Sequence, residues 1–240
     1  MKGSLGRPKS PPLVALLDYG MGNLHSAAKG LEVAGSEVLV TSSPVEARLA
    51  EAVVLPGVGH FGRCMENLHR LGLDRFVIDW IGEGLPFMGI CLGMQLLYEG
   101  SEEAEVEGLG IVPGVVKKLP ATVEVPHMGW NTVEFEFGGD QETHSSSELA
   151  SPGVEMLRSP RASGPWFYFV HSYAALAAPA GSDLVGWTFH GVRFVSMFVK
   201  GRLWATQFHP EKSSSTGLEL LGMFASALRR TFESGAPRGS

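Results

Sequence analysis

The segment LPFMGICLGMQLL, residues 85–97, decides the fold. Its first half is a short apolar run typical of a buried β-strand, and the part that follows, LGMQLLYEG, has leucines at helical spacing and predicts a helix. Between them, GICLG at residues 89–93 has the pattern G-x-C-x-G, the thiol version of a nucleophile elbow. The two glycines are required because Cβ atoms at these positions would clash in so sharp a turn. The segment therefore predicts a strand, a tight turn that carries Cys91 as a nucleophile, and a helix.

The residues before this segment repeat the same alternation. Apolar runs typical of buried strands occur at 13–17 (LVALL), 37–41 (EVLVT) and 52–56 (AVVLP). A helical pattern separates the first two runs at 23–35, and another leads into the elbow strand at 67–81. Strands that alternate with helices predict an α/β fold, with a mostly parallel central sheet flanked by helices.

The second half of the chain has a different pattern. After Gly110, short aromatic-rich strands separated by turn residues predict antiparallel strands and hairpins at the edge of the sheet. An amphipathic run at 216–232 predicts a C-terminal helix that packs on the sheet. The stretch 138–165 is rich in Ser, Glu, Pro and Gly and predicts a mobile insertion, and the Gly- and Pro-rich residues 1–12 predict a disordered leader. We therefore expect one domain over residues 13–233.

The overall composition narrows the possible function classes. The chain has 240 residues, of which 44% are hydrophobic and 18% charged, enough for one α/β domain with a buried core. A net charge of −6 argues against binding to nucleic acid or to a membrane surface through basic residues. The sequence has no run of ~20 apolar residues, the length that a membrane-spanning helix needs. Cys64 and Cys91 have neither metal-ligand nor disulfide spacing. We expect a cytoplasmic protein with no metal and no cofactor.

A base for Cys91 is expected in the segment WATQFHPEKS at residues 204–213. His209 directly follows an apolar strand, and Glu211 can lie on the same side of an extended chain, with Pro210 restricting the backbone between them. The carboxylate would then accept a hydrogen bond from the imidazole and fix its tautomer. An isolated His-x-Glu pair is more often a surface pair at a strand end. Together with the elbow, however, the pair favours a Cys91–His209–Glu211 triad.

The oxyanion of such a reaction needs N–H donors, and the sequence predicts two sources of them. The elbow places Cys91 at a helix N-terminus, where the helix dipole favours a thiolate and the backbone N–H of Leu92 can face the oxyanion. The glycines of the loop GVG at 57–59, which follows the strand at 52–56, can present further N–H groups. A plain glycine-rich loop after a strand is the alternative. Cys64 lacks the strand and the flanking glycines and is predicted to be structural.

The segments GICLGMQLL, LPGVGHF and FHPEKS together resemble the motifs of the class I, or triad, glutamine amidotransferases. DYGMGNLHSAAKGLE at 18–32, PHMGWN at 126–131 and FYFVHSY at 167–173 are similar to the glutaminase subunits of imidazole glycerol phosphate synthases, enzymes of histidine biosynthesis. The resemblance covers residues 13–232 apart from 138–165, which is longer than the family usually carries. It implies a three-layer, flavodoxin-like arrangement of the sheet and helices.

The resemblance also implies the chemistry. Cys91 would attack the side-chain amide of L-glutamine, His209 would protonate the leaving ammonia, and water would then hydrolyse the glutamyl thioester. The implied oxyanion donors are Gly57, Val58 and Leu92. The residues implied to hold glutamine are Gly57, Gly59, Gln95, Ser172 and Tyr173. The plain alternatives are an exposed helix residue for Gln95 and an ordinary strand aromatic for Tyr173.

A partner protein follows from the same resemblance. The family's partner is a (β/α)8-barrel cyclase, which uses the ammonia to convert a ribulosyl-formimino aminoimidazole carboxamide nucleotide into imidazole glycerol phosphate and AICAR. PHMGWN is implied to lie at that interface, with Met128 and Trp130 in contact and Trp130 near the ammonia passage. Tryptophan is enriched at hot spots, although an aromatic residue in such a turn is more often part of the core. Because free hydrolysis would waste glutamine, Gly57-Val58-Gly59 is expected to complete the oxyanion hole only when the partner barrel is bound and occupied by its ligand.

Three other functions remain open at this point. A glutaminase for anthranilate, carbamoyl phosphate or pyridoxal phosphate synthesis would share the triad, but PHMGWN and DYGMGNL speak against it. A non-catalytic regulatory or binding module would have no need to keep Cys91, His209 and Glu211 together. A cysteine hydrolase or peptidase on the same elbow would give no reason for Gln95 or for the PHMGWN turn.

Overall fold

The structure is a computed structural model that describes residues 10–138, 157 and 164–233. Its strands are β1 (Leu13–Leu17), β2 (Glu37–Thr41), β3 (Ala52–Gly57), β4 (Phe87–Cys91), β5 (Tyr98–Ser101), β6 (Ala104–Glu107), β7 (Val112–Lys118), β8 (His127–Thr132), β9 (Glu134–Phe137), β10 (Trp166–His171), β11 (Tyr173–Ala174), β12 (Leu184–Phe189), β13 (Arg193–Lys200) and β14 (Leu203–Thr206). Its helices are α1 (Leu24–Val33), α2 (Pro44–Ala47), α3 (Phe61–Leu71), α4 (Leu73–Gly82), α5 (Leu92–Gln95) and α6 (Ser214–Glu233), and Pro210–Lys212 form a 3-10 turn. The predicted leader at 1–12 and the predicted insertion at 138–165 lie outside the described residues, apart from 10–12, 138, 157, 164 and 165.

The main sheet has eight strands in the order β2-β1-β3-β4-β14-β13-β12-β9. The pairs from β2 to β14 are parallel, and those from β14 to β9 are antiparallel. The predicted parallel sheet with antiparallel edge strands is therefore confirmed. The parallel part has the flavodoxin-like order with β14 in the fifth place, and ligands of such sheets bind outside the carboxyl ends of the strands.

Helices cover both faces of the parallel strands, which makes three layers. Val14 and Leu16 of β1 belong to the core beneath α1 and α6. Ala15 and Leu17 point to the opposite face and belong to the core beneath α3 and α4. Because successive side chains of a strand alternate between faces, a strand buried on both sides must be apolar throughout. This explains the unbroken apolar runs of the first half of the chain.

Gly72 divides the helical pattern at 67–81 into two helices. It has a left-handed conformation with φ of 67°. Its N–H group donates hydrogen bonds to the carbonyl groups of Leu68 and His69 at the end of α3. A left-handed residue ends a helix, and glycine adopts this conformation without steric cost. α4 begins at the next residue, so two short helices cover this face of the sheet.

The helix after the elbow is shorter than the sequence predicts. α5 has one turn, and the chain forms β5 from Tyr98 onward. The N–H groups of Leu109 and Ile111 bond the carbonyl groups of Leu96 and Leu97, and β5 pairs with β6 and β7. These long-range hydrogen bonds take the place of helical ones. The prediction of a helix through LGMQLLYEG is therefore wrong beyond its first turn.

Two smaller sheets lie beside the main one. β8 and β10 form an antiparallel ribbon, and β11, β7, β5 and β6 form a four-stranded sheet. β13, β12 and β9 form the predicted antiparallel end of the main sheet, with β9 at its edge. β14 lies between β13 and the parallel strand β4, and β8 and β10 lie outside this sheet. Strand composition predicts a strand but not its neighbour, because pairing partners are chosen by long-range contacts.

Candidate active site

Cys91 lies in a strained turn at the carboxyl end of β4. Its φ is 55° and its ψ is −109°, a conformation that costs an L-residue roughly 1–3 kcal/mol. A Cβ atom on Gly93 would collide with the carbonyl oxygen of Leu55 in β3, and one on Gly89 would lie 2.8 Å from the carbonyl oxygen of Gly93. Close backbone packing therefore requires both glycines of the elbow.

The shortness of α5 changes one part of the electrostatic prediction. A single turn of four residues does not build the macrodipole of a long helix, which is the sum of many aligned peptide dipoles. The predicted thiolate-stabilising effect of a helix on Cys91 is therefore small. The local N–H groups of the turn and the neighbouring side chains have to supply that effect instead.

His209 and Glu211 form a buried pair beside Cys91. β14 runs parallel to β4, so the chain that leaves β14 arrives at the same edge of the sheet as the elbow. Pro210–Lys212 form a 3-10 turn, not the extended segment that the sequence predicts, and this turn brings the carboxylate back to the imidazole. His209 Nδ1 lies 2.8 Å from Glu211 Oε1, and the side chains are 3% and 4% exposed.

The surroundings of His209 favour its charged form. Burial lowers the pKa of the imidazole, but the negative charge of the Cys91 sulfur and then that of Glu211 outweigh burial and raise the pKa to about 10. Nδ1 is bonded to Glu211, whereas Nε2 is buried and has no hydrogen-bond partner. The imidazole can therefore carry a proton at Nε2 beside the sulfur, as an acid–base partner of a thiolate must.

A cavity of about 240 Å³ opens beside Cys91. This volume suits a molecule the size of an amino acid, since pockets for drug-sized ligands measure roughly 300–1,000 Å³. Of the residues predicted from the sequence, the cavity is lined by Val58, Gly59, Cys91, Leu92, Gln95, Ser172 and Tyr173. It is also lined by Glu103, Pro126, Val170 and His171, which the sequence did not single out.

Gly57 lies beside the nucleophile but does not line the cavity. It is the register partner of Cys91 in the pairing of β3 with β4. A Cβ atom on Gly57 would lie 2.6 Å from Tyr19 Oη, and that hydroxyl donates to the carbonyl oxygen of Pro56 at 2.7 Å. Gly57 is thus required for close packing, while Gly59, with φ of 110°, reaches the cavity wall.

Gln95 is a buried residue of α5 and not an exposed helix residue. It is 3% exposed, and its Nε2 donates to the carbonyl oxygen of Tyr173 at 2.8 Å and to Gln207 Oε1 at 2.9 Å. Gln207 was missed in the sequence, although its position two residues before His209 is a signal that it could face the same site. Glu103 was also missed, because it is one of several glutamates at 99–107 and no spacing to another motif marks it.

Two histidines beneath the cavity form a hydrogen-bonded pair. His171 Nδ1 lies 2.8 Å from the carbonyl oxygen of Tyr173, His127 Nδ1 lies 3.0 Å from His171 Nε2, and Asn131 Nδ2 lies 3.2 Å from His127 Nε2. A carbonyl only accepts and an amide NH₂ only donates, so both imidazoles are neutral with the proton on Nδ1. Burial is the largest cause that lowers the pKa of His127 to about 4 and that of His171 to about 3.

The β8–β10 ribbon has one buried and one exposed face. His127 and its partner His171 point inward, whereas Met128 and Trp130 on the other face are 63% and 49% exposed. Trp166, also 49% exposed, lies on the same outer face. The structure therefore places the two predicted interface residues on an exposed apolar surface and not in the core.

Cys64 is buried in the core and is 0% exposed. Burial raises the pKa of its thiol to about 11, so the thiol stays neutral and unreactive. Within the described part of the chain, no group of three or more His, Cys, Asp or Glu side chains is arranged to hold a metal ion. No helix among these described residues is long and apolar enough to span a membrane.

Comparisons with known proteins agree with this geometry. A family model described as glutamine amidotransferase class-I matches residues 15–226. The imidazole glycerol phosphate synthase subunit HisH of Acaryochloris marina is 41% identical to this chain, over 92% of this chain and 97% of that protein. The subunit of the same name from Moorella thermoacetica is 43% identical, over 92% of this chain and 98% of its own length.

Solved structures share the fold at lower identity. A crystal structure of a glutamine amidotransferase has a TM-score of 0.64 and 17% identity, and covers 90% of this chain and 98% of its own. The structure of PurLQS from Thermotoga maritima has a TM-score of 0.63 and 14% identity, and the match covers 92% of this chain and 99% of the other. The family match and the sequence relatives together lead to one assignment. The chain belongs to the class I glutamine amidotransferase family and, within it, to the HisH subunits of imidazole glycerol phosphate synthases.

Proposed function

We propose that this chain hydrolyses L-glutamine to glutamate and ammonia, and that it delivers the ammonia to a (β/α)8-barrel cyclase subunit. That subunit makes imidazole glycerol phosphate and AICAR in histidine biosynthesis. The observation that carries the proposal is the buried His209–Glu211 pair beside the strained Cys91, at a cavity of amino-acid size. Membership of the HisH family supports the choice of reaction and of pathway.

The reaction begins at the sulfur of Cys91. The thiolate attacks the side-chain amide carbon of glutamine, and the developing oxyanion is stabilised by N–H groups of Leu92 and of the 57–59 loop. His209 gives its Nε2 proton to the leaving nitrogen, which departs as ammonia and leaves a glutamyl thioester. Water, deprotonated by His209, then attacks the thioester, which releases glutamate and restores the Cys91 thiolate beside the protonated His209. Glu211 orients the imidazole throughout.

Substrate binding uses the walls of the cavity. Gly59, Ser172 and Tyr173 offer backbone groups to glutamine. The Nε2 protons of Gln95 are already donated inside the protein, so its contact with the substrate passes through Oε1, which suits an N–H donor of glutamine. Glu103 is the carboxylate among the described lining residues, and it fits the substrate's ammonium group.

The outer face of the ribbon is the proposed docking surface for the cyclase. Exposed apolar patches of this kind mark interaction sites. Val170 lines the cavity and is the register partner of Met128, so the apolar face that carries Trp130 reaches the cavity wall. Ammonia released at Cys91 would therefore have a short path to a partner bound there. Two free thiols and the biosynthetic reaction favour a location in the cytoplasm.

One experiment tests the proposal directly. Glutamate release by the purified chain is measured for the chain alone, with the barrel subunit, and with the barrel subunit in the presence of its nucleotide ligand. We expect glutamine hydrolysis that is greatest in the liganded complex, together with formation of imidazole glycerol phosphate from glutamine. A complex that forms but does not hydrolyse glutamine would contradict the proposal.

A further inference from the structure

Gln207 links the nucleophile to the floor of the cavity. Its side chain is completely buried, and its Nε2 lies 3.7 Å from Cys91 Sγ. Its Oε1 accepts from Gln95 Nε2 at 2.9 Å, and its backbone N–H bonds the carbonyl oxygen of Ser196 at 2.8 Å. Gln207 follows β14 and precedes the base His209 by two residues, so one segment brings both side chains to the sulfur.

The orientation of the Gln207 amide follows from its neighbours. The carbonyl oxygen of Tyr173 can only accept, so Gln95 must present its NH₂ group to Tyr173. The same NH₂ group faces Gln207, which must therefore present its oxygen to Gln95. The remaining end of the Gln207 amide, its NH₂ group, is then directed at Cys91. The sulfur thus has a donor beside it whose direction is set by a main-chain carbonyl.

The sulfur has different partners in its two forms. As a thiol it can donate to the carbonyl oxygen of Val170, 3.9 Å away. As a thiolate it can only accept, and the Gln207 N–H group is placed to donate to it. A hydrogen bond to the charged form of a group favours that form. This donor is independent of the helix at the elbow, which is only one turn long.

We propose that Gln207 is a positioning residue for Cys91: its amide N–H holds the sulfur in the elbow and stabilises the thiolate, and Gln95 keeps that amide turned toward the sulfur. This inference rests on the proposed function for what the thiolate attacks. It assigns Gln95 a second role besides contact with the substrate. It also explains why a polar side chain is kept fully buried at position 207, where an apolar one would cost less to bury.

The test measures the reactivity of the sulfur itself. In a Cys64→Ala background, Cys91 is alkylated with iodoacetamide at neutral pH, with and without Gln207→Met, which keeps an unbranched side chain but removes the donor. We expect alkylation to slow by about tenfold, the loss typical of one hydrogen bond to a charged group. The kcat for glutamine should fall by a similar factor, with little change in KM.

Thr206→Val is the matched control. Thr206 is also fully buried, and its hydroxyl donates to the carbonyl oxygen of Phe208 at 3.0 Å without touching the sulfur. This variant should lower the melting temperature but leave the alkylation rate of the folded protein unchanged. If Thr206→Val slows alkylation as much as Gln207→Met, the effect is general loosening of the segment and the proposal is wrong.

Gln95→Met keeps the proposal testable if Gln207→Met does not fold. It leaves Gln207 in place but removes the group that orients its amide, so alkylation should again slow. A wild-type alkylation rate in the folded variant overturns the proposal. Alkylation by iodoacetamide does not involve glutamine, so the alkylation rate tests Gln207 independently of the proposed function. If alkylation slows in a chain that never hydrolyses glutamine, the proposed function is refuted but the role of Gln207 stands.

Discussion

His209 Nδ1 and Glu211 Oε1 are 2.8 Å apart, within two side chains that are almost completely buried. The imidazole donates to the carboxylate from Nδ1, so Nε2 is the atom left for the Cys91 sulfur. Burial keeps water from competing for this hydrogen bond and restricts the ring to few orientations. We therefore expect different losses of activity when the base is removed and when the residue that orients it is removed.

Loss of the base should cost more activity than loss of the orienting carboxylate. His209→Ala removes proton transfer, which contributes about 10²–10⁴-fold, so kcat for glutamine should fall by that factor. In Glu211→Gln the imidazole still accepts a proton in part of its orientations, and the loss should be smaller. A diazo-ketone analogue of glutamine should label Cys91 much more slowly in His209→Ala than in the wild type. Equal labelling rates would mean that His209 does not activate the thiol.

The two cysteines should differ completely in their effect on catalysis. Cys91→Ala should abolish glutamine hydrolysis, because no other group can form the thioester. Cys64→Ala should leave most of the activity, since Cys64 is a core residue of α3 that does not line the cavity. Glutamate release in the complex with the barrel subunit measures both. Turnover retained in Cys91→Ala would overturn the triad.

The 57–59 loop is expected to respond to the partner. It begins at Gly57, the register partner of Cys91, so a rotated peptide there can add or withdraw an N–H donor at the oxyanion. One such donor is worth ~10²–10³ in rate, and we expect the liganded partner to raise kcat by that order. A site that is always formed and limited by glutamine binding would instead show a change in KM alone. A kcat that is already maximal without the partner would refute the switch.

The neutral pair His127–His171 should make the protein less stable in mild acid. Both histidines have a lower pKa in the folded chain than in the unfolded one, about 4 and about 3 against 6.5, so the unfolded state binds more protons between these values. Stability should therefore fall as pH drops below 6.5, by at most about 1.4 kcal/mol per pH unit for each histidine. The raised pKa of His209 has the opposite effect on stability. Its contribution is fully present below pH 6.5 and is lost as the pH rises toward 10.

Urea unfolding of wild type and His127→Gln between neutral pH and about pH 5 tests this prediction. Glutamine can still form hydrogen bonds but cannot take up a proton, so the variant should show a shallower loss of stability with acid. His25→Gln, a change at an exposed histidine of α1, is the control and should keep the wild-type slope. The same slope in all three proteins would show that the buried pair does not govern the acid response.

Trp130 should be a hot spot for the barrel subunit. It is 49% exposed on the apolar face of the ribbon, and truncation of a central interface tryptophan costs on the order of 2 kcal/mol or more, about a 30-fold rise in Kd. Calorimetric titration of Trp130→Ala with the barrel subunit measures this. Leu49→Ala is the control, because Leu49 is 73% exposed but precedes β3, at the opposite end of the strand from the active site. Equal affinity of Trp130→Ala and wild type would place the interface elsewhere.

The sequence by itself determined the features that depend on neighbouring residues. Apolar runs such as 13–17 become strands buried on both faces, because no other environment accepts side chains that are apolar in every direction. The elbow at 89–93 is readable because only glycine fits beside a nucleophile in so tight a turn. The motifs around Cys91 and His209 were also sufficient to identify the family, and the comparisons with known proteins confirm that identification.

Only the tertiary structure decided which segments meet and what they do to one another. The one-turn α5 and the separate β8–β10 ribbon result from hydrogen bonds between residues far apart in the chain. The 3-10 turn that carries Glu211 has local hydrogen bonds of its own, but Tyr168 of β10 holds both of its ends in place. Gln207 reaches the site because β14 pairs in parallel with β4, which brings the ends of both strands to one edge. Glu103 reaches it through the turn between β5 and β6, where its carboxylate accepts from the backbone N–H of Phe61 at the start of α3. The physical reason is that side-chain spacing predicts which surface an element buries, whereas the choice of partner depends on contacts whose energy is gained only when the whole fold is assembled.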